Sequence, residues 1–429
     1  MRTVTRFFWL LVLLGALVGC AVNPVTGRKE LALMQVSPEE EILLGKKSFG
    51  QAMQTMGGIY PDDSVNDYVD RVGQRVAKRS HRPELNYSFK VVNDSSPNAF
   101  ALPGGFIGVS RGLLINLEDE AQLAAVLGHE IGHVTARHSV QGMQRSTFLD
   151  TVVGLAGIAA GEQYGDLASQ IGGVTANLID KRYSRDQESE SDWLGIDYMV
   201  LAGYDPQGAI ELQEIFYRKI ENGQNTDWLS GLFRSHPFSK ERLDANRTYV
   251  AGKYLDRSGY GLDRNSYQQS IEAVLKTQEA YELYDQALKL ESQGQLEAAI
   301  ETYHQAMQNA PTHGLLLNAL GMAYLRKEDL IPAKRYLLKA INTDPDYYQS
   351  RMGLGYLYLK DRKFADASSQ LKKSLELMPT VQAAYLLGEA EEAQGNLAQA
   401  RELYQAVSQA DANGKLGQAA AAKLKGLSE

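Results

Sequence analysis

His129-Glu130-Ile131-Gly132-His133 is the stretch that decides how this chain is read. Two histidines four residues apart fall on one face of a helix, because about 3.6 residues complete a turn. Their imidazoles can therefore converge on a single metal ion. Glu130 stands between them, placed to act as a general base toward an attacking water. Zinc hydrolases are built on this arrangement. The helix that carries it is expected to begin near Glu118, where Glu118, Asp119 and Glu120 favour a helix start.

A catalytic zinc needs three protein ligands and one position open to water. His129 and His133 supply two. Ser184-Arg185-Asp186-Gln187-Glu188-Ser189-Glu190-Ser191-Asp192 offers the third. This segment opens a second helical stretch that runs to about Leu201. Glu188 and Asp192 are four apart and share a face, and Glu190 points elsewhere on the same helix.

The run His129-Glu130-Ile131-Gly132-His133-Val134-Thr135-Ala136-Arg137-His138, followed by Glu188-x-x-x-Asp192, resembles the CAAX-endopeptidase-like zinc metallopeptidases, the family of the HtpX and BepA peptidases. The resemblance covers about Glu39 to Val250. It implies one zinc per chain, with Glu188 favoured over Glu190 as third ligand and Glu130 as general base. It also implies that Asp192 orients a ligand histidine through a hydrogen bond. His138 lies five residues after His133, about 140° around a continuous helix. It is therefore no ligand on that face, and since the family pattern also has a histidine here, a structural hydrogen bond is expected.

Ser235-His236-Pro237-Phe238 resembles the family's His-Pro segment. His236 is expected to approach the zinc site, either to stabilise the oxyanion or to fill the open position as a reversible plug; a solvated loop histidine is the alternative. Arg242, six residues on, either faces the oxyanion or braces the loop. Asn98 to Phe106 has a counterpart in the family. It reads either as a strand edge that binds extended substrate or as an ordinary hairpin. His81, His304 and His313 fit no ligand geometry, and the last two read as surface or packing residues of the C-terminal half.

Around this core the chain divides. Its 429 residues are too many for one compact core, so two or more domains are expected. Arg2 and Arg6 precede an apolar run from Phe7 to Val18, which reads as an export signal too short to span a membrane comfortably. A tight N-terminal anchor helix is the alternative. Leu17-Val18-Gly19-Cys20 resembles a bacterial lipobox, and Cys20 is the only cysteine in the chain. That resemblance implies removal of residues 1–19 and a lipid on Cys20. Ala21 follows in place of an inner-membrane retention Asp, which points to the periplasmic face of a Gram-negative outer membrane. Loss of Arg2 and Arg6 takes the formal charge from −8 to −10. With no basic stripe to bind phosphates, nucleic acid is not an expected partner.

Residues 20–37 read as a tether, and 38–265 as the zinc metallopeptidase domain. In that domain helices are expected from Pro38 to about Met56 and from Ser64 to about Arg79. Strands are expected at Tyr87–Val92 and Phe106–Ser110. The glycine-rich segment 149–178 reads either as loosely packed lid helices or as two tightly packed core helices.

From 276 to 427 a 34-residue period appears. Gly321 and Gly355 keep it, as do Ala299, Ala333 and Ala367, and Pro311, Pro345 and Pro379. This is the tetratricopeptide pattern, with small residues where the two helices of a repeat cross. Gly388 and Ala400 mark a further unit one residue early, and the first unit has Ala287 in place of the glycine. The expected fold is mainly α: an α+β peptidase domain with a small sheet beside the histidine helix, followed by an α-solenoid.

These features make two functions possible. One is a periplasmic, outer-membrane-tethered zinc endopeptidase acting on polypeptides, with misfolded or stalled envelope proteins as substrates by resemblance. The repeats would then bind clients or an outer-membrane assembly machine. The other is a tetratricopeptide chaperone or adaptor with a latent zinc site. A membrane-embedded prenyl-protein peptidase is excluded by hydropathy, since no interior run approaches the roughly 20 apolar residues a span needs.

Overall fold

The computed structural model describes residues 20–23, 25–27, 29–31, 36–142, 182–221, 235–255 and 259–427. The export signal expected at 1–19 and the glycine-rich segment 149–178 lie outside the described residues.

Within the stretch read as a tether, Cys20–Val22 (β1) and Lys29–Leu31 (β2) pair antiparallel, with Cys20 opposite Leu31. Asn23 makes the turn, its Oδ1 accepting from the backbone N–H groups of Val25 and Thr26. Its Nδ2 donates to the Ala136 carbonyl at 2.9 Å, fastening the hairpin to the end of the histidine helix.

Helix α1 (Pro38–Thr55) starts at a capping box between Ser37 and Glu40. Helix α2 (Asp63–Ala77) is capped by Asp62 and buries Val65, Tyr68, Val69, Val72 and Val76, an apolar stripe at helical spacing. Strands β3 (Ser88–Val92), β4 (Ala99–Leu102) and β5 (Phe106–Ser110) form a sheet in the order β3-β5-β4. β3 runs parallel to β5 and β4 antiparallel, so β4 is an edge strand. The short helix α3 (Arg111–Leu114) leads to α4 (Glu120–Thr135), capped by Asp119, which carries the paired histidines. Nearly all of α4 is buried, so it passes through the centre of this half of the molecule.

Helix α5 (Arg185–Leu201) opens at a second capping box, Ser184 with Gln187. It crosses α4 at backbone contact. A Cβ on Gly195 would lie 2.6 Å from the His129 nitrogen, and one on Gly128 would lie 2.7 Å from the Gly195 carbonyl. Only glycine at both positions permits that approach, and the approach brings the carboxylates of α5 to the histidines of α4. Helices α6 (Gln207–Glu221) and α7 (Lys240–Lys253) pack around the crossing.

Two short helices, α8 (Arg264–Ser270) and α9 (Glu272–Lys276), lead into the repeats. Helical pairs follow: α10 (Gln278–Ser292) with α11 (Leu296–Asn309), α12 (Gly314–Arg326) with α13 (Leu330–Thr343), and α14 (Tyr348–Lys360) with α15 (Phe364–Leu377). The last pair is α16 (Val381–Ala393) with α17 (Leu397–Ala410), closed by α18 (Lys415–Gly426). The periodic glycines sit where paired helices touch. A Cβ on Gly321 would lie 2.7 Å from Leu337, and one on Gly355 2.6 Å from Leu371.

The repeats fold back against the first half rather than standing away from it. One apolar core runs from Val65, Phe89 and Leu113 through Tyr267 and Tyr281 to Leu315 and Tyr347. The Tyr60 hydroxyl donates to the Ala273 carbonyl at 3.0 Å, and the Arg111 guanidinium lies 3.6 Å from the centre of the Tyr281 ring. Among the described residues no helix is long and apolar enough to cross a membrane.

Candidate active site

The crossing of α4 and α5 gathers the expected site residues. Nε2 of His129 and Nε2 of His133 face each other at 3.1 Å. Glu188 reaches both, with Oε2 3.6 Å from His129 Nε2 and Oε1 3.4 Å from His133 Nε2. Glu130 is buried beside them, and its Oε1 lies 3.5 Å from His236 Nε2. His236 enters from the loop before α7. Its Nδ1 is 3.2 Å from His129 Nε2 and 3.0 Å from Glu188 Oε1. It is not a solvated loop histidine, for it is buried within the group.

Asp192 sits one turn after Glu188 and meets His129 Nδ1 at 2.9 Å. A carboxylate there accepts the Nδ1 proton, leaving Nε2 of that ring with a lone pair directed into the site. Asp192 is itself held by Arg242, through Nε at 3.0 Å and Nη2 at 2.8 Å, and by Asn246 Nδ2 at 2.9 Å. Arg242 also donates to the Pro237 carbonyl at 2.7 Å, bracing the His236 loop. Its Nη1 lies 2.7 Å from Glu188 Oε2.

Three contributors escaped the sequence reading. Asn246 is one turn after Arg242 on α7, and that spacing was the available signal. Tyr183 stacks on His133 with ring centres 3.8 Å apart, and its hydroxyl meets Ser139 Oγ at 3.0 Å. Nothing in its sequence context marks it. Glu190, set aside as a ligand, hydrogen-bonds His138 at 3.0 Å. The remaining histidines pair with tyrosines: His81 with Tyr198, His304 with Tyr324 and His313 with Tyr281.

Burial and charge set the proton affinities. Burial pushes the His133 imidazole well below its usual range, which keeps it neutral. Burial alone would raise Glu188, but His236, His133 and His129 outweigh it and hold the carboxyl well below its ordinary value. Asp192 likewise opposes burial through Arg242 and His129 and falls to about 2. Burial raises Glu130, the direction a general base needs. Burial lowers His236, but Glu188 and Glu130 reverse that and raise it to about 9.

The group fits a metal ion. One donor atom each from His129, His133, Glu188 and His236 lie within 4.8 Å of one another. Tetrahedral ligands at about 2.0–2.1 Å from zinc stand roughly 3.4 Å apart, close to the spacings here. The buried Glu130 Oε2 also lacks a hydrogen-bond partner, as expected of an atom that awaits water.

Two further features adjoin the site. An apolar cavity of about 60 Å³ opens onto His129 and Glu130, lined by Val126, Ile196, Leu212, Phe216 and Phe238. Edge strand β4 packs beside α4, and the Ala101 carbonyl accepts from Ser139 Oγ at 3.3 Å on the side away from β5.

Comparison with known proteins agrees with this geometry. Residues 63–250 match the model of peptidase family M48, and residues 316–347 and 352–415 match tetratricopeptide repeat models. Metalloprotease YcaL of Escherichia coli K12 is 30% identical over 198 residues, 44% of this chain and 74% of YcaL. The chain belongs to peptidase family M48. Other relatives share this part of the sequence. The β-barrel assembly-enhancing protease of Escherichia coli K12 is 29% identical over 215 residues, 46% of this chain and 43% of that protein. Mitochondrial metalloendopeptidase OMA1 of Schizosaccharomyces pombe is 34% identical over 178 residues, 41% of this chain and 50% of that protein. The chain thus spans about half the length of these two relatives. M48 is a metalloprotease family, which implies a metal ion, and the group of His129, His133, Glu188 and His236 could hold one.

Proposed function

We propose that the chain is a zinc-dependent endopeptidase of the bacterial envelope, acting on polypeptides during outer-membrane protein assembly or quality control. The observation that carries this reading is the convergence of His129, His133 and Glu188 beside the buried Glu130. The three would hold zinc, which when bound supplies Lewis-acid activation of water and of the scissile carbonyl. Glu130 takes the proton of the attacking water and passes it to the leaving amine. Asp192, steadied by Arg242 and Asn246, keeps His129 in the tautomer that offers Nε2. The apolar cavity beside Glu130 accepts an apolar side chain next to the scissile bond.

His236 is the plug of a resting state. A catalytic zinc keeps one position open, and His236 Nδ1 stands in the donor cluster as a fourth member. Cleavage then requires the loop that carries His236 to withdraw. The assembly-enhancing protease among the relatives suggests the setting. The repeats would recruit envelope clients or an outer-membrane assembly machine, and lipid on Cys20 would tether the enzyme at the periplasmic face of the outer membrane. The closed cluster also favours a second reading, in which the repeats act as a chaperone or adaptor and the zinc site stays latent.

Glu130→Gln separates the two. The peptidase reading predicts retained zinc and lost cleavage of unfolded protein, with loss of the envelope phenotype. Unchanged envelope function in that variant would favour the adaptor.

A further inference from the structure

At Nδ1 His133 meets a second imidazole, that of His138, where His129 meets the Asp192 carboxylate. Helix α4 ends at Thr135, and Arg137 adopts a left-handed conformation with φ of 57°. Such a backbone is unusual for a non-glycine residue. It is held by Arg137 Nε on Glu41 Oε2 at 3.1 Å and by Arg137 Nη2 on the Val36 carbonyl at 2.9 Å. The reversal brings His138 back onto the helix it has just left. His138 Nδ1 lies 2.9 Å from His133 Nδ1, and its Nε2 lies 3.0 Å from Glu190 Oε2. His138 is buried, and Ser191 Oγ also approaches its Nδ1 at 3.4 Å.

We propose that His138 and Glu190 are positioning residues that fix His133 in the tautomer presenting Nε2 to the metal. The reasoning is one of donors and acceptors. The Glu190 carboxylate oxygen accepts, so His138 donates from Nε2. Nδ1 of His138 is then the acceptor toward His133. The proton between the two rings therefore belongs to His133 Nδ1, and His133 Nε2 keeps its lone pair. The opposite arrangement would set a lone pair of His138 against the Glu190 carboxylate and put a proton on His133 Nε2, the atom a metal would need. The two ligand histidines are thus oriented differently, one by a carboxylate directly and one through a second imidazole. This rests on the metal site proposed above, but the device belongs to residues which that reading leaves without a role.

The test uses the full chain. Zinc affinity is measured by chelator competition, and imidazole 15N spectra of the metal-free protein report the tautomers. His138→Ala and Glu190→Ala are expected to lose about 10–100-fold in zinc affinity with unchanged circular dichroism. His138→Gln, whose amide can accept from His133 and donate to Glu190, is expected to recover most of that loss. Metal-free wild type should show His133 protonated at Nδ1. Folded alanine variants with wild-type affinity, or His133 protonated at Nε2 in the wild type, would overturn the proposal. If the alanine variants fail to fold, the wild-type spectrum decides. A wild type that binds no zinc would instead sink the metal site, and the same spectrum would still decide the tautomer.

Discussion

At the scale of single residues, the chemistry was legible wherever spacing carries it. Four-residue steps place His129 with His133, and Glu188 with Asp192, before any fold is known. What stayed hidden depends on backbone events that spacing cannot express. A continuous helix would turn His138 away from His133, and only the left-handed Arg137 returns it. Arginine gives no signal for such a turn, where glycine or asparagine would. His236 belongs to this scale because its role depends on a few ångströms of loop movement. As a plug, His236→Ala should speed cleavage of unfolded protein while zinc stays bound. The gain would be about tenfold if one chain in ten is open at rest. Cleavage rate and zinc affinity both unchanged would contradict any role for His236 at the site.

At the scale of elements, caps and turn residues placed most boundaries closely. Ser37, Asp62 and Ser184 each begin a helix where their side chains can bond the first turn. The 34-residue period identified the helical pairs because Gly321 and Gly355 mark real contacts between helices. The pairing of Cys20–Val22 with Lys29–Leu31 was not read from the sequence. Its strands are three residues each, too short for an alternating pattern to register, although Asn23 was recognised as a turn signal. The expected ligand set brought α5 to α4, but the glycine contact at their crossing was not legible, since isolated glycines in helical stretches carry no partner information. Gly195→Ala tests it. Its methyl would meet the backbone at 2.6 Å, so the helices must part. A destabilisation of about 1–3 kcal/mol is expected, with a loss of zinc affinity. Thermal melting and chelator competition measure both, and a variant with wild-type stability and affinity would show that the crossing has slack.

At the scale of the whole molecule, the sequence divided peptidase from repeats by texture but gave no sign of how they meet. The meeting is made by aromatic residues that look ordinary in either half: Tyr60, Tyr267, Tyr281 and Tyr347 share one core. Because that core is continuous, the two halves should unfold together. Tyr281→Ala removes a fully buried ring and the partner of Arg111, at a cost of about 3 kcal/mol or more. Calorimetry should show one transition in the wild type, moved downward in the variant. Two separate transitions with only the later repeats affected would mean that the shared core does not couple them. The most direct test of the account is the metal content of the purified chain with Cys20 replaced. About one zinc per chain, lost in His129→Ala, His133→Ala and Glu188→Gln, is the predicted result. A well-folded wild type that binds no zinc, or that keeps it when these three residues are replaced, would contradict it.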